Sequence, residues 1–187
     1  VSLGLKSNSW YQQLKYNYYS SETTTSSTST ANSITGEEGL EIITSAMTVR
    51  ISQDTRDDYF NPKSGHLISF ANTLAGFGGD STFIKSVLNS KIFYPINYGD
   101  YTLGLKSGVG FINSLDDKIT SSNRFRLGGK VLRGFDNTGV GPRDTGNNQV
   151  VGGNNFYNFS IELNSDEWMP SDTGLNWLVF SDIGSIW

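Results

Sequence analysis

The chain has 187 residues, of which 17% are charged, with many glycines and aromatic residues and no cysteine. This composition is typical of β-rich proteins, and no stretch repeats apolar residues at helical spacing, which argues against a helical bundle. A net charge of -4 and a pI near 4.9 argue against a nucleic-acid partner. The lack of cysteine excludes disulfides and thiolate metal sites.

Alternation of apolar and polar residues predicts about eight β-strands. The alternation is clearest in segments 43–52, 83–92, 101–111 and 157–163, where one face is apolar and the other polar or small. Weaker examples cover 1–6, 10–19, 65–75 and 175–187. No apolar run approaches the ~18 residues of a membrane helix, but a spanning β-strand needs only about 9 to 11 residues. The pattern therefore predicts an antiparallel transmembrane β-barrel segment.

The connections between these strands partly alternate between long and short. A Ser/Thr-rich tract runs from Ser20 to Glu38, and a second long connection runs from Asn113 to Val151. Outer-membrane barrels have longer extracellular loops and tighter periplasmic turns, so we predict that both long segments are extracellular loops. The Ser/Thr tract could instead be a disordered linker between domains, but strand-like segments on both sides favour the loop.

Aromatic residues cluster near the predicted strand ends. A barrel places such residues in girdles at the membrane interfaces, although aromatics are also simply favoured in strands. The residues concerned are Trp10, Tyr18, Tyr19, Phe93, Tyr94, Trp168 and Trp187.

Signals of enzyme chemistry are weak. The single histidine, His66, would have to carry any triad or metal site alone. Gly-Gly-Lys at 128–130 lacks the first glycine of a phosphate loop, and the glycines from 139 lack dinucleotide spacing. Asp54, Asp57 and Asp58 do not follow the calcium-loop pattern and indicate a solvated turn. We therefore expect neither enzymatic activity nor a cofactor.

An ordered set of motifs fills the second half of the chain. The tetrapeptide Leu132-Arg133-Gly134-Phe135 is preceded by a glycine pair and followed by Gly-Pro, then by Gly-Gly-Asn at 152–154 and by D-x-G-x-x-W. Together these motifs resemble the barrel region of the BamA family of bacterial outer-membrane protein assembly factors, and similar turn patterns at 54–65 and 92–96 extend the resemblance over most of the chain. The flanking motif residues are Gly128, Gly129, Gly141, Pro142, Asp182, Gly184 and Trp187.

The resemblance implies that the tetrapeptide lies at the tip of a long loop folded back into the barrel. Arg133 would contact acidic residues on the two following strands, at Glu162 and Asp182. Glu162 also lies on the polar face of its predicted strand, whereas the inward orientation of Asp182 depends on the resemblance. Gly134 would allow a positive φ or a close approach, and Phe135 would anchor the tip. Without the resemblance, Arg133 would be interpreted as a surface residue.

The resemblance also implies a function. The family folds and inserts other outer-membrane proteins without a cofactor, through a barrel of about sixteen strands. Its partners would be unfolded outer-membrane proteins, accessory assembly lipoproteins and outer-membrane lipid. The periplasmic repeats, early strands and closing strands are missing, so we expect an internal fragment that is inactive alone.

Two groups of alternatives stay open on the sequence. The nearer group contains other members of the superfamily: a two-partner secretion transporter, the translocation and assembly module, or an organellar homologue. The more distant group contains a passive porin and a soluble β-sandwich adhesin. A sandwich predicts that one face of every strand is buried against a second sheet.

Overall fold

The computed structural model describes residues 1–24, 37, 39–97, 101–116, 119–165 and 177–187. Within these ranges eight strands form one antiparallel sheet in the order of the chain, which confirms the predicted fold class. No helix in the described part of the chain is long and apolar enough to cross a membrane. The strands are β1 (Ser2–Ser7), β2 (Trp10–Glu22), β3 (Glu41–Asp54), β4 (Gly65–Ala75), β5 (Phe83–Ile96), β6 (Tyr101–Ser114), β7 (Asn155–Ser165) and β8 (Trp177–Ile186).

Two strands run further than their apolar alternation. β2 continues to Glu22, pairing with Glu41, so the first residues of the Ser/Thr tract are strand and not loop. β6 likewise includes Asn113 and Ser114. Hydroxyl and amide side chains are compatible with ladder hydrogen bonds, which extend the strands past the last apolar residue. Most of the remaining tract up to Glu38, and Trp168, lie outside the described residues.

The sheet has an exposed apolar outer face. Val49, Leu88, Val109, Ile161 and Val179 are each between 41% and 62% exposed, although they occupy strands in the middle and at the edge of one sheet. In a sandwich these side chains would be buried by a second sheet, so the soluble β-sandwich alternative is wrong. An apolar outer face is what lipid requires of a spanning strand.

The inner face is covered by part of the connection between β6 and β7, residues 115–154. Ile119, Phe125, Leu127 and Leu132 from this connection are buried against sheet residues that include Ile112. Phe125 also packs edge-on against Phe156 of β7, with ring centroids 4.7 Å apart. The buried apolar cluster therefore lies between a loop and a sheet, and it holds the loop on the inner face.

The turn between β3 and β4 is ordered by its acidic residues. Asp57 accepts backbone N–H bonds from Asp58, Lys63 and Ser64 at 2.9 to 3.2 Å. Asp58 accepts two more at 2.7 Å, and Asp54 pairs with Arg56 at 2.8 Å. All three carboxylates thus have a structural role in a tightly hydrogen-bonded turn.

His66 belongs to the same hairpin. Its ring nitrogens lie 3.0 Å from Thr55 Oγ1 and 3.1 Å from Gln53 Oε1. The only histidine in the sequence therefore joins the two strands at this turn.

Strand parity decides which aromatics can form a girdle. Tyr18 and Tyr94 point outward and are 63% and 67% exposed. Their neighbours Tyr19 and Phe93 necessarily point to the inner face, because successive side chains alternate. Tyr19 donates a hydrogen bond there to Asn123 Oδ1 at 2.7 Å. Tyr19 and Phe93 therefore do not belong to an interfacial girdle.

Candidate functional site at the loop tip

The loop tip begins with a tight turn built on two glycines. The Gly128 carbonyl accepts N–H bonds from Val131 and Leu132 at 2.9 Å, and the Gly129 N–H donates to the Asp136 carbonyl at 2.9 Å. A Cβ on Gly128 would overlap the backbone of Asp136, so only glycine lets the two limbs touch here. The glycine pair closes the base of the tip.

Leu132 anchors the tip, and Phe135 does not. Leu132 is 3% exposed within the apolar cluster, whereas Phe135 is 58% exposed. Gly134 lies between them with a φ of +91° and nothing near the position of its missing Cβ. Its left-handed conformation redirects the chain after Arg133. The expected anchor at Phe135 is therefore wrong, and of the two alternatives expected for Gly134 the structure shows the positive φ and not the close approach.

Arg133 contacts Asp182 through three donors. Its backbone N–H and its Nε donate to Asp182 Oδ2 at 3.0 and 2.8 Å, and its Nη2 donates to Oδ1 at 2.5 Å. The two side-chain bonds form the bidentate geometry in which arginine binds carboxylates most strongly. Asp182 thus points to the inner face.

The guanidinium also contacts β7. Arg133 Nη1 lies 2.9 Å from Glu162 Oε1, and Nη2 donates to Ser160 Oγ at 2.8 Å. The other oxygen of Glu162 pairs with Lys106 Nζ of β6 at 2.6 Å. The Phe180 ring lies beneath the guanidinium, 3.5 Å from Cζ to the centroid. One loop residue therefore links side chains of β7 and β8, and Glu162 carries the link to β6.

Sheet register places these partners side by side. Lys106 pairs with Ser160, which pairs with Asp182, so the three residues form one row across β6, β7 and β8. A second row, two residues further along each strand, holds Gly104, Glu162 and Phe180. Because successive side chains of a strand alternate between faces, rows two residues apart share a face, and both sets project toward the loop.

The site is electrically balanced. The side chains of Asp182 and Glu162 are 6% and 11% exposed, and Arg133 and Lys106 supply two opposing positive charges. The hydrogen bonds that Arg133 donates to Asp182 raise the pKa of Arg133 above its ordinary value, against the opposing effect of partial burial. The guanidinium therefore stays charged. Removal of Arg133 would leave the Asp182 carboxylate with little solvent and no cation, which is costly.

The limb returning to β7 docks on the end of β8. The Pro142 carbonyl accepts the N–H of Val151 at 3.0 Å, and the N–H of Asn154 donates to the Trp187 carbonyl at 2.7 Å. A Cβ on Gly141 would lie 2.8 Å from the Ile186 side chain. The motifs on either side of the tetrapeptide thus close the loop against the last strand.

A second attachment holds the limb that leaves β6. The Asn123 carbonyl accepts a bond from Lys85 Nζ of β5 at 2.8 Å, and its side chain accepts the Tyr19 hydroxyl of β2. Lys85 Nζ also lies 4.3 Å from the ring centroid of Phe125. Asn123 therefore bridges β2 and β5 across the inner face.

The sequence did not single out several of these contacts. Ser160 and Lys106 could have been found, because each shares the polar face of a strand with a predicted or neighbouring site residue. Phe180 and Asn123 carry no such signal, since their contacts depend on where the loop comes to rest. Among the described residues no group of three His, Asp or Glu side chains is placed to hold a metal ion.

The single sheet, its apolar outer face and the loop secured on its inner face define the class as a segment of a transmembrane β-barrel. The entire chain, residues 1–187, matches the Omp85 superfamily domain. The chain belongs to the Omp85 superfamily.

Several relatives are similar over most of the chain. The outer membrane protein assembly factor BamA of Neorickettsia risticii is 30% identical over 155 residues, covering 82% of this chain and 21% of the relative. The BamA of Nitratidesulfovibrio vulgaris is 28% identical over 77% of the chain and 18% of the relative. Sorting and assembly machinery component 50 homolog A of Xenopus laevis is 28% identical over 72% of this chain and 29% of the relative. The chain thus spans less than a third of each of these relatives.

The fold also matches a solved structure. The crystal structure of BamA from Haemophilus ducreyi lacking POTRA domains 1–3 superposes with a TM-score of 0.83. The match covers 100% of this chain and 40% of that chain, at 17% sequence identity. At this identity the similarity concerns the fold.

Proposed function

We propose that this chain is part of the barrel of an integral outer-membrane protein that folds and inserts other outer-membrane proteins. The superfamily match and the BamA relatives support this proposal, and the Xenopus relative is also a component of an assembly machinery. The bacterial and the eukaryotic relatives are thus both named for assembly. Their names favour an assembly function for this chain over secretion by a two-partner transporter and over passive diffusion through a porin.

The observation that carries the proposal is the contact of Arg133 with Asp182 and Glu162. This contact fixes the tip of a long connection to the inner wall of the sheet, midway along β7 and β8. We assign this arrangement of ion pairs and hydrogen bonds a structural role rather than bond chemistry. Its role is to hold the loop inside the lumen and to keep the barrel in a shape that is competent for assembly.

The direction of the chain in the membrane follows from this role. The end of the sheet that carries residues 115–154 would face the cell exterior, and the ordered β3–β4 turn would face the periplasm. The barrel would contain about sixteen strands, of which these eight form one wall. Its substrates would be unfolded outer-membrane proteins. Accessory lipoproteins and outer-membrane lipid would be its other partners.

Charge reversal at Arg133 tests the proposal in the full-length protein. Arg133→Glu faces two poorly hydrated carboxylates, so we expect the level of folded outer-membrane proteins in cells to fall. Arg126→Glu is the matched control, because it makes the same charge change at an exposed position of the same loop. An unchanged level of folded outer-membrane proteins with Arg133→Glu would remove the proposed role of the contact.

A further inference from the structure

The inner face of the sheet carries far more positive than negative charge. The basic side chains of the described strands on this face are Lys6, Lys15, Arg50, Lys85, Lys91 and Lys106. The acidic ones are Asp54, Glu162 and Asp182, and each is bound by an arginine. The whole chain has a net charge of -4, so its overall composition does not reveal the positive charge of this face.

The loop divides this face into two regions. Its tip lies on β7 and β8, where it covers Asp182 and Glu162. Beyond the attachment of Asn123 to β2 and β5, a groove across β1 to β5 stays open. It is lined by Lys15, Arg50 and Lys85 among hydroxyl, amide and small apolar side chains, and Lys85 also donates to the Asn123 carbonyl at the edge of the loop. No carboxylate lines this groove within the described residues. The open region is therefore positive, whereas the covered region is balanced.

Register brings the cations close together. Lys15, Thr48, Thr73 and Lys85 form one row across β2 to β5, and Arg50 follows Thr48 by two residues on the same face. Thr48 and Thr73 hydrogen-bond each other at 2.8 Å, and their uncharged hydroxyls do not offset the positive charge of this row. Lys15 and Arg50 are exposed and have no acidic partner in the part of the chain that the structure describes.

A cleft lined by charges of one sign concentrates ions of the opposite sign, and low-dielectric walls strengthen the effect. Adjacent strands are roughly 5 Å apart, so Lys15 on β2 and Arg50 on β3 lie within about one Debye length of each other, roughly 10 Å at 0.1 M salt, and Lys85 on β5 lies about 15 Å from Lys15. Their potentials therefore overlap in the water of the lumen. Small anions would be enriched beside this wall.

We infer that the groove formed by Lys15, Arg50 and Lys85 on the inner face of β1 to β5 attracts small inorganic anions and biases ion passage through the full-length barrel toward them. This property is separate from the Arg133 contact, because neither Lys15 nor Arg50 touches the loop tip. It depends on the open groove, and it would persist if the proposed assembly role failed.

Ion selectivity tests the inference directly. The full-length protein is reconstituted in a planar bilayer of neutral lipid, and the chloride-to-potassium permeability ratio is obtained from the reversal potential in a KCl gradient. We expect the double variant K15Q/R50Q to lower this ratio at least about twofold, because two of the lumen cations are gone. The matched control K15R/R50K exchanges the side chains but keeps both charges, and its ratio should equal that of the native protein.

The same ratio in K15Q/R50Q as in the native protein would overturn the inference, as would an equal fall in K15R/R50K. Heat-modifiable gel mobility shows whether each variant is folded. If K15Q/R50Q does not fold, the inference is tested by measuring the permeability ratio of the native protein at increasing salt concentrations. The Debye length shortens from about 10 Å at 0.1 M to about 3 Å at 1 M, so an electrostatic preference for chloride must weaken over that range. A native barrel without this decrease, or without measurable conductance, contradicts the inference.

Discussion

Leu132 packs directly against the backbone of Gly184. A Cβ at Gly184 would lie 3.0 Å from Leu132 Cδ1 and 2.9 Å from the Tyr157 carbonyl oxygen. Gly184 and Asp182 are two residues apart on the inner face of β8, so one receives the leucine of the tetrapeptide and the other receives its arginine. Asp182 and Gly184, the D-x-G pattern of β8, therefore form the surface on which Leu132 and Arg133 pack.

We expect Gly184→Ala to destabilise the loop tip. The added methyl is too close to Leu132 and to the β7 backbone, and overpacking of this kind costs about 1 to 3 kcal/mol. The measurement is the urea midpoint of the full-length barrel, followed by heat-modifiable gel mobility. Ser181→Ala changes an exposed side chain on the outer face of the same strand and should leave the midpoint unchanged. Equal midpoints for both variants would show that Gly184 is not needed for the packing of Leu132.

The two carboxylates that bind Arg133 differ in importance. Asp182 accepts three bonds from Arg133, whereas Glu162 accepts one and is also paired with Lys106. Asp182→Asn should therefore release the loop more readily than Glu162→Gln. We expect Asp182→Asn to lower stability by about 3 kcal/mol, because it breaks a mostly buried ion pair. Protease cleavage within residues 128–136 of the full-length protein measures the release. Faster cleavage of Glu162→Gln than of Asp182→Asn would contradict this order.

The two attachments of the loop should loosen separately. Lys85→Met keeps an unbranched apolar stem against Phe125 but removes the bond to the Asn123 carbonyl. We expect faster amide hydrogen exchange in residues 119–125 and unchanged exchange in 128–136, because local openings follow local contacts. Arg133→Lys, which cannot form the bidentate pair, should give the reverse pattern. Increased exchange in both regions for both variants would show that the loop opens as one unit.

The sequence predicts the sheet well because its information is local. All eight strands were predicted from period-two alternation, and β4 even matches at both ends. Strand ends at Glu22 and Ser114 were missed, since ladder hydrogen bonds between polar residues leave no hydrophobic pattern. The Ser/Thr tract illustrates this point, because its first residues belong to β2.

The loop tip was less predictable because its contacts are not local. Arg133 and Asp182 are 49 residues apart, and only the resemblance suggested that they meet. Phe135 was predicted as the anchor instead of Leu132, because both are large and apolar and residue type does not separate them. The φ of +91° at Gly134 decides between them, and a backbone angle of this kind cannot be read from residue types alone.

The isolated 187-residue chain should not insert model barrels into liposomes. β1 pairs only with β2, and β8 pairs only with β7, so both edges of the described sheet have backbone groups without strand partners. In lipid such groups cost several kcal/mol each, and an open sheet is not stable there. The heat-modifiable gel mobility of a model barrel measures its insertion, and the full-length protein is the positive control. Insertion by the isolated chain at the full-length rate would show that eight strands suffice.

The β3–β4 turn should open in acid. Partial burial raises the pKa of Asp57, but the N–H groups of Ser64, Lys63 and Asp58 together outweigh it, and the net pKa is lowered. Because the pKa is lowered in the folded state, the Asp57 carboxylate stabilises the turn fully at pH values above its unfolded-state pKa of about 3.9. This stabilisation is lost as the pH falls through the folded-state pKa.

Amide exchange at Lys63 and Ser64, followed from pH 6 downward in the detergent-solubilised full-length protein, measures this opening after correction for intrinsic exchange rates. Protection should be constant down to about pH 4 and should then fall. Asp57→Asn removes the titrating group, so its protection should be low at every pH. Native protection that stays constant to pH 2, or an Asp57→Asn variant with the native profile, would show that Asp57 does not hold the turn.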